Sequence, residues 1–278
     1  MEINPANIQK EIADFKNGIK KRNGPKYKRL TSINDSNGDE RAVNMDCIKA
    51  AVELAYIDTQ RTLRGIGKAE NKEKKEAKDK ALERIIDKLC QFFHGEAPDS
   101  PDGPDGFEAG HKKLCEIWCG EFEGKEEDDD SIFGTYGKAQ KIINMAFKYL
   151  FCCDDASDFR NHFKYCHMPL DTGTLTWYKR KVDQKKKDYT WSKIKYEEYI
   201  KIQGDIRDYL NETEEKPLEK EFTIWPETEK ELAAEKFLTG LGCDLPSEEM
   251  WKMPLYKKYE LIRDILSERI ENKTKESE

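Results

Sequence analysis

The stretch GTYGKAQKIINMAFKYLF, residues 134–151, and its continuation CHMPLDTGTLTWYKR, residues 166–180, decide how this chain folds. From Tyr136 to Cys152, the side chains of Ile142, Ile143, Met145, Ala146, Phe147, Tyr149, Leu150 and Phe151 cover nearly the whole circumference of a helix. A surface position cannot satisfy such a helix, whereas burial against several neighbours can. One stripe is polar. Lys141 and Lys148 lie almost two turns apart with Asn144 between them on the same side.

That stripe has two readings. It is either the line where the helix meets water, with lysine stems lying over apolar surface, or one wall of a cleft. In a cleft, desolvation lowers a lysine pKa and frees the amine as a nucleophile. Just before the stripe, Phe133-Gly134-Thr135-Tyr136-Gly137-Lys138-Ala139 reads as a glycine-containing turn between two short helices, running into the second. Such a turn presents backbone N–H groups that hold a phosphate without much positive charge. Downstream, Pro169-Leu170-Asp171-Thr172 precedes an expected helix over Gly173–Val182. Asp171 or Thr172 would cap it. Held there, Asp171 could also face Lys141, deprotonating its amine or stabilising positive charge on a sugar.

Working outward, the other segments also have helical spacing. Helices are expected over Asn7–Ile19, Val43–Leu63 with Asp46 in its first turn, Lys68–Phe93 and Glu108–Phe122. Further ones are expected over Trp191–Leu210 with Ser192 as cap, Glu227–Leu238 opened by Pro226, and Leu255–Ile270 opened by Pro254. Only Tyr27–Ile33 suggests extended structure. The expected class is therefore all-α, one helical domain of 278 residues with two lobes around a cleft. The Pro/Gly/Asp-rich break near residues 94–110 is the candidate lobe boundary, and 131–182 is the central catalytic stretch.

Composition narrows the function classes. The net charge of −7 argues against a surface that clings everywhere to nucleic acid, leaving two local basic runs, Lys20–Arg29 and Lys179–Lys187. No segment approaches the ~20 apolar residues of a bilayer crossing, and MEINPANIQK lacks the layout of a signal peptide. A cytoplasmic protein with no membrane partner and reduced cysteines is expected. The acidic loop EGKEEDDDS lacks calcium-loop spacing. Cys152, Cys153, His162, Cys166 and His167 contain zinc-type donors without Cys-x-x-Cys spacing. No metal or cofactor is assigned.

The segments YGKAQKIINMAFK and CHMPLDTGTL resemble the active-site elements of the helix-hairpin-helix DNA glycosylase superfamily, in particular proteins similar to 8-oxoguanine DNA glycosylases. The resemblance spans roughly fifty residues. It implies that Gln140-Lys141 supplies the catalytic lysine and Pro169-Leu170-Asp171 the aspartate, with Lys148 as the rival lysine. The superfamily hairpin carries Gly-hydrophobic-Gly, whereas Gly134 and Gly137 have two residues between them. The resemblance further implies contacts to double-stranded DNA from Gly134, Tyr136, Gly137, Lys138, Lys179 and Arg180. Gln140, Asn144 and Trp177 would line the base pocket, and Tyr149, Phe151 and Tyr178 are additional stacking candidates. The implied activity is excision of an oxidised or modified base by a monomer, with lyase chemistry through a Schiff base. Two other readings remain open: a helical nucleic-acid-binding or phage-defence protein without base excision, and a zinc-stabilised interaction module.

Overall fold

A computed structural model describes residues 5–34, 43–63, 66, 72–123, 133–183, 188–243 and 246–276. The helices, in chain order, are α1 (Pro5–Arg22), α2 (Gly24–Tyr27), α3 (Met45–Thr59), α4 (Lys72–His94), α5 (Phe107–Phe122) and α6 (Tyr136–Phe151). There follow α7 (Arg160–Phe163), α8 (Thr172–Tyr178), α9 (Tyr196–Asn211), α10 (Pro217–Gly240), α11 (Ser247–Lys252) and α12 (Leu255–Glu276). The described residues are all-α, and their only β pairing is an isolated bridge between Asn34 and Val43. None of the described helices is long and apolar enough to cross a membrane. The acidic run at 124–131 and the basic residues at 184–187 lie outside the described residues.

Helix α6 is buried from Gly137 through Leu150, as its all-round apolarity requires. Helices α3 and α5 pack along it, and α4 closes over both. Local chemistry sets the helix starts. The Asn44 side chain caps α3 by accepting from the Cys47 amide at 3.0 Å, so Asp46 falls inside the first turn. Thr135 caps α6 by accepting from the Lys138 amide at 3.3 Å.

Four expected boundaries shift, each for a physical reason. The helix beginning at Thr172 gives way after Tyr178 to a π-helical turn, Lys179–Asp183. Trp191–Leu210 divides into a 3₁₀ turn, Trp191–Lys193, and α9. Ser192 does not cap α9, because it lies inside the 3₁₀ turn and α9 starts after Lys195; its carbonyl accepts from the Thr135 hydroxyl at 2.6 Å and ties the turn to the start of α6. Helix α10 begins at Pro217 and runs through Pro226, which has no amide hydrogen to offer the Phe222 carbonyl; burial of Leu218, Phe222 and Ile224 carries the helix past it. Tyr27–Ile33 is a helical end followed by turns.

Buried apolar side chains fall into two clusters. The larger joins α1, α3, α4, α5, α6 and residues through Cys166, with Leu218 of α10. The smaller joins Met168, Leu170, Leu175 and Tyr178 to Ile194, the inner face of α9 and Ile224. The chain passes between them at His167. The break at 94–110 connects α4 to α5, both of which belong to the larger cluster.

Candidate active site

The two sequence motifs meet side by side. Gln140 holds Leu170 from both directions, its amide donating to the Leu170 carbonyl at 2.9 Å and its carbonyl accepting from the Leu170 amide at 3.2 Å. The next residue of α6, Lys141, donates to Asp171 Oδ2 at 2.7 Å. Consecutive residues of one helix therefore hold consecutive residues of the Pro-Leu-Asp turn. Gln203 of α9 holds Met168 in the same two-sided way, at 3.1 and 2.7 Å.

Asp171 divides its oxygens between two tasks. Oδ1 accepts from the Thr174 amide at 3.0 Å, and the Thr174 hydroxyl accepts from the Asp171 amide at 2.8 Å, completing a capping box on α8. Oδ2 is left to Lys141. Burial disfavours charge on both partners, but each outweighs that cost for the other. Asp171, with Glu221 beyond it, holds the lysine above its ordinary value, and Lys141 holds the carboxyl below its own. The expectation of a lysine depressed by desolvation is overturned. In the free protein Lys141 is an ammonium paired with a carboxylate.

Both groups line a cleft of about 300 Å³ between α1, α3, α6, the start of α8, the Trp191 turn and α10. The same cleft contains Lys148, which pairs with Glu221. Lys148 lies between the rings of Phe15 and Phe222, 4.3 and 4.7 Å from their centroids. Phe15, Trp191 and Trp225 are the cleft's aromatic lining, with Arg22, Asp58, Arg61 and Glu229 as further charged groups. Of these only Arg22, in the basic run Lys20–Arg29, was signalled in the sequence; the others come from elements far apart in the chain and carry no common motif.

Several expected contacts lie elsewhere. Gln140 and Asn144 are fully buried in a polar network behind the cleft. Asn144 accepts from His111 Nε2 at 2.9 Å and donates to Gln140 at 3.0 Å and to the Tyr199 hydroxyl at 2.9 Å. The Tyr199 hydroxyl is hydrogen-bonded to His167 Nδ1 at 2.8 Å. The network fixes helix register, and neither Gln140 nor Asn144 lines the cleft. Trp177 packs edge-on against Tyr209, outside the cleft lining. Tyr149 lies in the core, its hydroxyl donating to Asp58, and Phe151 and Tyr178 belong to the apolar clusters.

The glycine turn is likewise occupied by protein. Helix α5 ends at Phe122, so no short helix abuts the turn at Gly134 within the described residues. A Cβ on Gly137 would come within 2.0 Å of the Trp191 carbonyl, so glycine is needed for the close approach of the Trp191 turn. Tyr136 packs on Tyr196 and Tyr199, and Lys138 is buried over the Phe133 ring. Lys179 pairs with Asp188, and Arg180 pairs with Glu231 and Glu235 at 2.7 and 2.9 Å. Those charges are already neutralised.

The cysteines do not assemble a metal site. Cys153 lies 3.2 Å from Cys47, Cys166 bonds the His162 carbonyl, and His167 belongs to the Tyr199 network. Among the described residues no group of three or more His, Cys, Asp or Glu is placed to hold a metal ion. Comparison with protein-family models, with curated proteins and with solved structures returned no match.

Proposed function

We propose that this protein is a DNA glycosylase of the helix-hairpin-helix type, with two lobes around the cleft, excising an oxidised or modified base from double-stranded DNA. One observation carries the reading: the Lys141 amine and the Asp171 carboxylate, thirty residues apart, meet at 2.7 Å in one cleft. The cleft volume falls at the lower end of the ~300–1,000 Å³ of ligand pockets. Phe15, Trp191 and Trp225 supply surfaces on which an extruded base can stack.

The chemistry follows from the pair. The target nucleotide leaves the duplex at a cost of a few kcal/mol. Lys141 transfers its extra proton to Asp171 and its lone pair forms a bond to the anomeric carbon. The glycosidic bond breaks, and the base departs with its electron pair and takes up a proton. Loss of a second proton and opening of the sugar ring give a Schiff base, from which β-elimination can cleave the strand. The reading extends to a monomer acting in the cytoplasm, with oxidised purines such as 8-oxoguanine as first substrates.

Borohydride trapping on DNA with a lesion or an abasic site tests the proposal. We expect a covalent adduct with the wild-type chain, absent in Lys141→Ala and retained in Lys148→Ala if that variant remains folded. An adduct that persists without Lys141 would move the chemistry to another amine. Neither adduct nor base release on any substrate would leave a non-catalytic binding protein, a reading favoured by the ammonium form of Lys141.

A further inference from the structure

The glycine turn assigned to DNA backbone contact is filled by the Trp191 turn, and Lys179 and Arg180 are held by carboxylates. The charges of the cleft point to another place for a phosphate. Four cations and four carboxylates line it, and two ion pairs form, Lys141 with Asp171 and Lys148 with Glu221. The other two cations are Arg22, at the end of α1, and Arg61, in the 3₁₀ turn after α3. Both are exposed, which places them at the rim. Among the described residues neither forms an ion pair; Arg22 donates only to the Gly18 carbonyl, at 3.4 Å.

The two remaining carboxylates form no ion pair with either arginine among the described residues: Asp58 accepts from the Tyr149 hydroxyl, and Glu229 feels the charge of both Asp171 and Arg22. Arg22 also belongs to the basic run Lys20–Arg29, whose members divide in two. Lys26 and Arg29 are held by Glu53, whereas Lys20, Lys21 and Lys28 are exposed and, among the described residues, unpaired. Of the run, Arg22 lines the cleft, and Lys20 and Lys21 precede it on α1.

We propose that Arg22 and Arg61 grip the phosphates flanking the nucleotide held in the cleft, with Lys20 and Lys21 continuing the contact along the strand. Guanidinium groups on two walls suit this task, since each presents a planar fork of donors matched to phosphate oxygens. The inference rests on the glycosylase reading for its ligand. It also accounts for DNA binding by an acidic protein, because two or three local phosphate contacts do not require a basic surface.

The test is fluorescence anisotropy with a duplex carrying a tetrahydrofuran abasic analogue, over a series of salt concentrations. Each lost phosphate contact should reduce the slope of log K against log salt by about one. We expect Arg22→Ala and Arg61→Ala each to weaken binding roughly tenfold at low salt with that change in slope. Lys164→Ala, away from the cleft lining, should leave both unchanged. Arg22→Lys and Arg61→Lys, which keep the charge, should recover the slope, separating lost contact from lost folding. Unchanged slopes in both alanine variants, with wild-type binding intact, overturn the inference and leave Schiff-base trapping at Lys141 to decide the glycosylase reading. Arginine-dependent binding without any trapping or base release keeps the inference and sinks the enzyme. No binding to duplex DNA by the wild-type chain overturns both.

Discussion

Lys141 and Lys148 sit on the same face of α6, line the same cleft and each pair with a carboxylate, yet the two pairs are built differently. The Lys148–Glu221 pair is almost sealed, with side-chain exposures of 3% and 1%, between two phenyl rings and two helix interiors. The Lys141–Asp171 pair is 9% and 17% exposed, and its carboxylate stands at a helix entry positioned by side-chain clamps on the backbone. A pair closed in by aromatic rings cannot trade its partner for a ligand without opening the core. A pair on a clamped turn keeps its geometry while one carboxylate oxygen exchanges partners. The difference teaches that sequence spacing made the two lysines equivalent, while their carboxylates separate structural from chemical roles.

The contrast breaks most sharply by removing one member of the sealed pair. Lys148→Ala leaves the buried Glu221 carboxylate uncompensated and should cost about 3–5 kcal/mol in denaturant unfolding. The double variant Lys148→Met with Glu221→Leu should regain most of that loss. If Lys148→Ala unfolds like wild type, the pair is more hydrated than its burial indicates, and the distinction between the lysines weakens.

The more open pair should respond in rate as well as in stability. Asn caps helices about as well as Asp, so Asp171→Asn should keep α8, but it leaves the buried Lys141 ammonium without its partner and should cost about 1–3 kcal/mol, less than in the sealed pair. Removing the proton acceptor should slow adduct formation by roughly 10²–10⁴-fold. Adduct formation in the wild-type chain should rise with pH on the alkaline side, because the ion pair holds Lys141 above its ordinary value and the free amine must form. A rate that is flat with pH while Asp171→Asn remains fast would remove the carboxylate from the mechanism.

A backbone perturbation sharpens the comparison further. Gly137→Ala forces the Trp191 turn away from α6 and should cost about 1–3 kcal/mol. Trp191 lines the cleft, so adduct formation at Lys141 should fall as well, while the Lys148–Glu221 pair stays intact. Equal losses of stability and no loss of rate would show that the turn serves packing alone.

The smallest expected effect is on acid stability, through the network behind Lys141. Burial pushes His111 and His167 below the ordinary histidine value, with the His167 charge adding to the effect at His111 and Glu108 opposing it at His167. Below pH ~6.5 the unfolded chain takes up protons that the folded chain refuses, so stability should fall as pH drops. Glu108 is lowered to about 2 by His167 and Arg207 despite burial, and adds a further loss as pH falls from about 4.5 towards that value. Calorimetry should show Tm falling by about 2–4 °C for each kcal/mol lost at this chain size. His111→Asn should shallow the decline above pH 5, and an unchanged pH profile would mean that His111 is not held neutral.

Much of the helix inventory was legible because apolar spacing reports burial directly. α6 is the clearest instance: apolar residues on nearly every side predicted burial, and its side chains are buried from end to end. Boundaries failed where a tertiary contact competed with a local signal. Pro226 reads as a helix start, yet apolar packing on both sides of it carries α10 through. Ser192 reads as a cap, yet it sits in a 3₁₀ turn bonded to Thr135, and α9 starts after Lys195. In the candidate site, Lys141 and Asp171 were readable as a pair because both lie in motifs at helix starts. Gln140 was read as a pocket residue because a side-chain amide gives no sign in sequence of whether it will face a base or a neighbouring backbone.

By itself the amino-acid sequence determined an all-α chain, a central helix apolar on nearly every side, and an aspartate at a helix entry. Those follow from periodicity and capping, which act over a few residues and leave a local record. The tertiary structure alone decided that Lys141 meets Asp171 and is charged, that Glu221 sequesters Lys148, that the glycine turn is closed by Trp191, and that Arg22 and Arg61 form no ion pair among the described residues. Each depends on the sign and distance of charges brought together from distant parts of the chain. Coulomb energy and desolvation depend on spatial separation and burial, and neither is written in sequence order.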